Sequence, residues 1–470
     1  MKRLDLNKRQ SVILIIAVLL AVVGILLFYI TFNYEDGQSI LAWSVNNWDL
    51  LVENRWGDFY TDKAVNLRGA LHTDMEFEGM ISPFMYIPES IWCLPVWLTH
   101  YFNGNYYIGT LPCIYWYKAF LLLATIITAV NCFHIVKRFT DDHYRSFLSA
   151  FFVMASPEIL LSTGYAGQDE IVYLCFLLLA INAMLLQRRR WFLAWSTCAV
   201  TLCPIVIIPL LAIVLLKEKR IVRILISAGI MVLPTLFWSV VSNGMENRYT
   251  WFSTVDQAER VLDYITIPIL SGTASVFVIA VILYYFYCYV TEGVDDYQLI
   301  WLVSLSVLWL SFFTNSLFYR SMLYVPFFAI LLLAEKRLWL ALEILLFTVL
   351  QYLRFFTLGV DSTQTMNTYY TVKAKWIVSL CERAGSTKHL IKDSLVEKII
   401  EKVPELYLYT SAMNGVCIAI VLLLLWITFS GHSGRVQIEE RPIIETEWSV
   451  MAYGACGLLY MIVFYMLLLK

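Results

Sequence analysis

An all-α, polytopic membrane fold of about 12 or 13 transmembrane helices is predicted for this chain, and three observations predict it. The 470 residues are 60% hydrophobic and 15% charged, where a soluble globular chain carries roughly 45–50% and about 25%. The charges are clustered, which leaves long stretches with almost none. The stretches 11–32, 111–136, 222–242, 262–290, 299–318, 409–430 and 448–469 reach the ~20 apolar residues that a helix needs to cross a bilayer core. Their apolarity is continuous and does not alternate. That selects helices over a β-barrel, the other structure that satisfies its backbone inside hydrocarbon.

The first span follows the basic segment MKRLDLNKRQ. Its apolar run is longer than the roughly 7–15 residues of a secretory signal. It ends in FYITFNYEDG, which offers no small-residue cleavage site. An uncleaved span with its basic end in the cytoplasm is expected. The ten cysteines lie mostly inside apolar runs and form no CxxC pair. They read as small hydrophobes and not as a disulfide or zinc framework. A net charge of −2 gives no reason to propose nucleic acid as a partner.

Lysine and arginine in short loops set orientation. Basic clusters stand at 2–9, 137–145, 187–190, 217–223 and 335–337, and all are placed in the cytoplasm. The loops 33–80, 164–169, 243–260, 315–320 and 357–408 then face outward. Residues 82–102 are apolar enough to span, but Pro83, Pro88 and Pro95 interrupt them. Proline inside a helix removes a hydrogen bond and clashes with the preceding turn, so an interfacial or re-entrant segment is expected. Residues 191–216 begin and end beside cytoplasmic charge, as either a hairpin turning near Cys203-Pro204 or a single span with one misassigned flank. The segment 357–408 mixes charges of both signs at helical spacing and is expected to form surface helices.

Three groups of residues can carry chemistry. Asp36 stands a few residues beyond the first span, ahead of apolar positions that suit an amphipathic helix lying on the bilayer with Trp at headgroup depth. A second surface helix is expected at 59–70. Asp36 is read either as a base at the membrane surface or as a cap of the first helix. Next, Gln168, Asp169 and Glu170 open a span after a glycine-containing turn. They are either site residues or an N-cap and a dipole-matched neighbour. The third group is cationic: Lys118 inside an apolar run, and Arg320 and Arg354 at outward span ends. Such cations either snorkel or hold a lipid-linked phosphate. Phosphate binding would stabilise a polyprenyl-phosphate leaving group while a carboxylate takes the acceptor proton. With no P-loop or GxGxxG, an activated lipid is the more natural donor than a nucleotide sugar.

The order of a basic N-terminus, one span, an acidic outer loop, a proline-aromatic segment and then GQDE resembles the GT-C superfamily of polyprenyl-phosphate-sugar-dependent glycosyltransferases. Asp36-Gly37 stands where family members place an acidic residue or pair after the first span. Gly167-Gln168-Asp169 resembles the GQxD-like element of bacterial members. Tyr319-Arg320, with Pro326 following, is similar to the family's His/Arg-Tyr-Pro region. Asp58 in GDFYTDKAVN resembles the DF-x-x-Y element of mannosyltransferase branches. The sequence departs from the pattern in having Gly after Asp36, no His before Tyr319, and Leu202-Cys203 where a basic residue often precedes the Pro-rich span.

The resemblance implies a GT-C-like bundle with surface helices in the first outer loop. Residues 1–335 would be the catalytic membrane module, with its outer loop at 33–110, and 336–470 a C-terminal membrane module. It implies an inverting hexosyltransferase in a bacterial plasma membrane with its active site facing outward. The donor would be a polyprenyl-phosphate-linked sugar and the acceptor a glycan, glycolipid or protein. Asp36 or Asp58 would be the base, with Asp36 favoured. Gln168, Asp169, Glu170, Lys118, Tyr319, Arg320 and Arg354 would bind substrate. No cofactor is called for, and a divalent metal at Asp36 and Asp169 is not favoured. Two other classes compete. A lipid-linked glycan flippase or transporter would be expected to show inverted repeats and mid-membrane charge, and neither is visible. A glycan polymerase would place its essential residues in a large late outer loop, for which 357–408 is available.

Overall fold

Continuous apolarity does produce an all-α protein. A computed structural model describes residues 8–60, 82–103, 110–243, 245, 265–269, 272–312, 322–334, 340, 343–353, 370–372, 406–429 and 446–468. Helices make up nearly all of the regular structure there, with two short antiparallel ribbons as the exceptions. Among the described residues four helices are long and apolar enough to cross a membrane: Ser11–Ile30, Pro112–Thr140, His143–Ala166 and Ile221–Val241. Shorter apolar helices of 10–17 residues accompany them. Residues 61–81, which include most of the second expected surface helix, lie outside the described residues, as do the charged helices expected within 357–408. The chain groups into two packed units, each discontinuous in sequence. This grouping is separate from the functional division at residue 335 that the sequence suggests.

The first unit comprises residues 1–35, 125–167 and 318–470. In it α1 (Lys8–Thr31) packs along α16 (Thr446–Leu468). Small residues make the approach close: Ala17 and Gly24 on α1 face Gly454 and Gly457 on α16. A Cβ at Gly454 would stand 2.7 Å from the Ala17 carbonyl oxygen, and one at Gly24 would stand 3.4 Å from Gly457 Cα. Helix α6 (His143–Met154) starts on Asp142, whose carboxylate accepts the amide of Tyr144 at 2.8 Å. It packs on α13 (Val325–Ala334), an apolar helix buried on every side. Beyond α6 a widened turn, Leu160–Ala166, ends at Gly167 in the left-handed conformation with φ 67°. A Cβ at Gly164 within that turn would meet Phe28 and the Tyr29 ring at 3.0 Å. Strand β1 (Phe32–Tyr34) pairs with β4 (Tyr370–Val372).

The second unit comprises residues 36–124 and 168–317. It contains α2 (Glu35–Val52), α3 (Ile87–Trp92), α4 (Leu94–Asn103), the first part of α5 (Leu111–Thr140), and α7 (Glu170–Leu185). After α7 come α8 (Arg189–Leu202), α9 (Ile207–Lys217), α10 (Ile221–Val241), α11 (Val276–Val290) and α12 (Asp296–Phe312). The open question at 191–216 resolves as a hairpin. Helix α8 stops at Cys203, which adopts an extended conformation ahead of Pro204. Arg189, at the start of α8, then reaches Glu218, just past the end of α9, at 3.6 Å. Residues 82–102 are likewise broken into short pieces, a 3-10 turn at Pro83–Tyr86 and then α3 and α4.

The apolar run 262–290 is not one helix. Strands β2 (Thr266–Ile269) and β3 (Gly272–Ser275) form a hairpin within it, and only Val276–Val290 is helical. The TIPILSGTAS sequence explains the difference. Pro268 and the β-branched residues favour extended backbone, and Gly272 opens the second strand opposite Ile269. Ser275 then caps α11 by accepting the amide of Val278.

Gly454→Ala should lower stability by about 1–3 kcal/mol, because the new methyl meets backbone that cannot rotate away. Gly415→Ala, at a site with nothing within 4 Å, should be neutral or slightly stabilising. Thermal unfolding of the purified chain in detergent separates them. Equal midpoints for the two variants would remove the close α1–α16 contact from the account.

Candidate functional site

Helix α2 is packed into an enclosed floor with residues 82–97 and does not lie exposed as the surface helix that the sequence suggests. Most side chains of α2 are buried, and Trp43 is only 2% exposed. Its neighbours are in the proline-aromatic segment. The Trp43 ring lies 5.4 Å from Phe59 and 6.4 Å from Tyr86. Trp48 donates its indole N–H to the Ser90 carbonyl at 2.8 Å. Asn47 donates to the Pro83 carbonyl at 3.1 Å and the Ser90 hydroxyl at 3.2 Å. Trp97 donates to Asp49 at 2.8 Å. Tyr60 and Phe59 join the same aromatic cluster, where Trp238 near the end of α10 donates to the Tyr60 hydroxyl at 2.8 Å. Of the tryptophans that periodicity assigns to headgroups, Trp43 folds into the aromatic cluster and Trp48 turns its N–H to a fixed acceptor on Ser90.

Within this floor several buried polar groups have unused hydrogen-bonding capacity. Glu89, on α3, is fully buried, and neither carboxyl oxygen has a hydrogen-bond partner among the described residues. The same holds for both side-chain polar atoms of Gln38 and for Asn46 Nδ2 and Asn47 Oδ1 on α2. Burial, followed by the negative charge of Asp169, holds the Glu89 carboxyl well above the ordinary carboxylate range. Burial also raises Asp49, against the opposing effect of the Trp97 hydrogen bond. Tyr117 on α5 stands in the field of Asp169, Glu89, Cys93 and Glu170. One group of side chains thus draws on α3, α5 and the start of α7.

The predicted site residues divide accordingly. Gln168 and Glu170 are buried, and Asp169 sits at the first position of the α7 turn without a side-chain capping bond. That removes the simple capping explanation for Asp169. Lys118 is 3% exposed, so its ammonium does not snorkel into solvent. Asp36 falls in the first turn of α2, separated from α1 by strand β1. Its side chain, like Tyr319, Arg320 and Arg354, lies outside the described residues. Asp58 is half exposed and pairs with Arg55 at 3.5 Å, while Phe59 and Tyr60 beside it anchor the loop. Sequence reasoning missed Glu89. The available signal was a single acid in the otherwise apolar, aromatic segment YIPESIW.

Comparison with models of known families, with curated proteins and with solved structures finds no match. Among the described residues no three His, Cys, Asp or Glu side chains are grouped to hold a metal ion.

The raised Glu89 carboxyl has a testable sign. A carboxyl whose folded value lies above its unfolded one stabilises the fold while it holds its proton. That contribution is lost as pH rises from the ordinary glutamate value, about 4.3, through the raised one. Thermal stability of the wild type should therefore fall over that window. Glu89→Gln, which mimics the protonated form, should flatten the decline. Parallel profiles for the two proteins would show that Glu89 does not titrate in this range.

Proposed function

We propose that this chain is an integral membrane glycosyltransferase of GT-C type, moving a sugar from a polyprenyl-phosphate donor to an acceptor hydroxyl on the extracytoplasmic face. One observation carries the reading. Both carboxyl oxygens of buried Glu89 on α3 and amide atoms of Gln38, Asn46 and Asn47 on α2 have no hydrogen-bond partner among the described residues, and Glu89 stands in the field of Asp169. Leaving such groups unmet costs roughly 1–3 kcal/mol each. A ligand rich in hydroxyls, each both donor and acceptor, meets that need. Helices of membrane-crossing length and apolarity supply a place for the donor's lipid tail.

In this mechanism Asp36 takes the proton from the acceptor hydroxyl. The acceptor oxygen attacks the anomeric carbon from the face opposite the phosphate, so the configuration inverts. The bond from that carbon to the phosphate oxygen breaks, and polyprenyl phosphate leaves with the electron pair. Lys118 meets its charge, and the resemblance adds Tyr319, Arg320 and Arg354 to that role. Glu89, protonated, hydrogen-bonds sugar hydroxyls, with Gln168, Asp169 and Glu170 completing the polar wall. The acceptor is a cell-surface glycan, glycolipid or protein, and the membrane is a bacterial plasma membrane.

A second reading rests on the same carboxyl. A buried acid that holds a proton beside a second acid is also what a proton-coupled transporter of lipid-linked glycan requires. Purified chain incubated with a panel of polyprenyl-phosphate sugars decides between them. The enzyme releases polyprenyl phosphate, and a transporter releases none.

In that assay Asp36→Asn should reduce turnover by roughly 10²–10⁴-fold with normal insertion. Asp58→Asn should stay close to wild type, since Asp58 is half exposed and ion-paired. Loss in Asp58→Asn with full activity in Asp36→Asn would transfer the base to Asp58. Full activity in both would defeat the mechanism.

Lys118→Met should raise KM for the donor more than it lowers kcat. Glu89→Gln should raise acceptor KM several-fold, and Glu89→Ala should raise it further. An unchanged KM for donor in Lys118→Met would reduce that residue to a packing role.

A further inference from the structure

The opposite end of the second unit carries a separate site. The end of α7, the start of α8, the end of α9, α10 and the start of α12 enclose a cleft of about 340 Å³, within the roughly 300–1,000 Å³ range of small-ligand pockets. It is lined by Arg189, Lys217, Glu218 and Asp296, over an apolar wall that includes Phe192 and Val214. The charges are already matched in pairs: Arg189 to Glu218 at 3.6 Å and Lys217 to Asp296 at 3.4 Å. Arg189 also donates to the buried Ser227 hydroxyl at 3.4 Å, and Arg223 reaches Glu218 at 3.2 Å. Both ion pairs are partly open to solvent, so either can be exchanged for a ligand.

We propose that this cleft binds the headgroup of a zwitterionic phospholipid with a primary ammonium, a phosphatidylethanolamine. The balance of charge makes the selection. An anion alone would have to face Glu218 and Asp296, and a cation alone would have to face Arg189 and Lys217. A phosphate linked to an ammonium by two carbons satisfies both sets at once. The phosphate lies on Arg189 and Lys217, and the ammonium on Asp296 and Glu218. Carboxylates reward a primary ammonium because it offers N–H donors. A trimethylammonium offers none and favours an aromatic cage, whereas Phe192 is the one aromatic residue in this lining. The lipid carrier follows from α10, which presents exposed Ile221, Val222 and Leu225 on the same helix as Ser227. Acyl chains can run from the cleft along that apolar surface. The basic loops 187–190 and 217–223 place this end at the cytoplasmic face. The inference requires that these helices stand in a bilayer and is independent of sugar transfer.

Native mass spectrometry of the full chain in detergent tests it, with phosphatidylethanolamine, phosphatidylglycerol, phosphatidylcholine and free phosphoethanolamine as probes. Phosphatidylethanolamine should be retained about tenfold over the other two lipids, the worth of one charge-assisted hydrogen bond. Asp296→Asn should reduce that preference to parity with phosphatidylglycerol, and Lys217→Gln should lower retention of both. These side chains are partly exposed, and a thermal midpoint matching wild type confirms folding of each variant. Equal retention of the three lipids by the wild type would overturn the proposal, as would a preference that survives both substitutions. Free phosphoethanolamine retained as well as the lipid would overturn the assignment to a membrane lipid.

Discussion

The organisation of the second unit depends on one ammonium group. Lys219 donates to the carbonyls of Leu215, Cys288, Tyr289 and Thr291 at 2.7–3.1 Å. These carbonyls belong to the closing turns of α9 and α11, which leave acceptors unsatisfied and concentrate the negative end of the helix dipole. A single cation meets both needs and fastens two helix C-termini at one level. Glu218 and Lys217, its chain neighbours, then draw in the starts of α8 and α12 through Arg189 and Asp296. Charge therefore collects at one end of the unit by the same contacts that align its helices.

The opposite end inherits a different problem. Helix α7 runs about 24 Å from the basic end to Glu170, where the chain has buried acids in place of solvated cations. Glu89 stands in the field of Asp169, and burial followed by that repulsion keeps a proton on Glu89. Proline accounts for how Glu89 reached this place. Pro83, Pro88 and Pro95 keep residues 82–102 from forming a single span. The resulting short helices fold onto α2, where Tyr86 stacks on the buried Trp43 and Ser90 accepts from Trp48.

The first unit meets polar burial in another way. Ser156 donates to Gln351 at 2.8 Å, Gln351 donates to the Tyr324 hydroxyl at 2.7 Å, and Tyr324 donates to Glu158 at 2.7 Å. Tyr460 donates to the Gln351 carbonyl. This chain uses polar capacity to join helices distant in sequence, where a connected buried network also rigidifies packing. In the α2–α3 floor, the side-chain polar atoms of Glu89 and Gln38 have no hydrogen-bond partner among the described residues.

Much of this was determined by sequence alone. Long uncharged runs produce helices because only intrasegment hydrogen bonding satisfies an apolar backbone. Proline placed the breaks at 82–102 and at Cys203-Pro204, since a missing N–H acts locally. The Gln168-Asp169-Glu170 turn and Lys118 stood out because charge within apolar sequence is conspicuous. Only the tertiary structure decided whether α2 faces lipid or protein, because tryptophan periodicity is the same in both and the Ser90 carbonyl that accepts from Trp48 lies far along the chain. It alone showed that Asp169 does not cap its helix, that Lys219 joins two C-termini, and that Glu89 belongs with Asp169. Each of these is a relation between residues tens of positions apart, and local pattern carries no record of such distances.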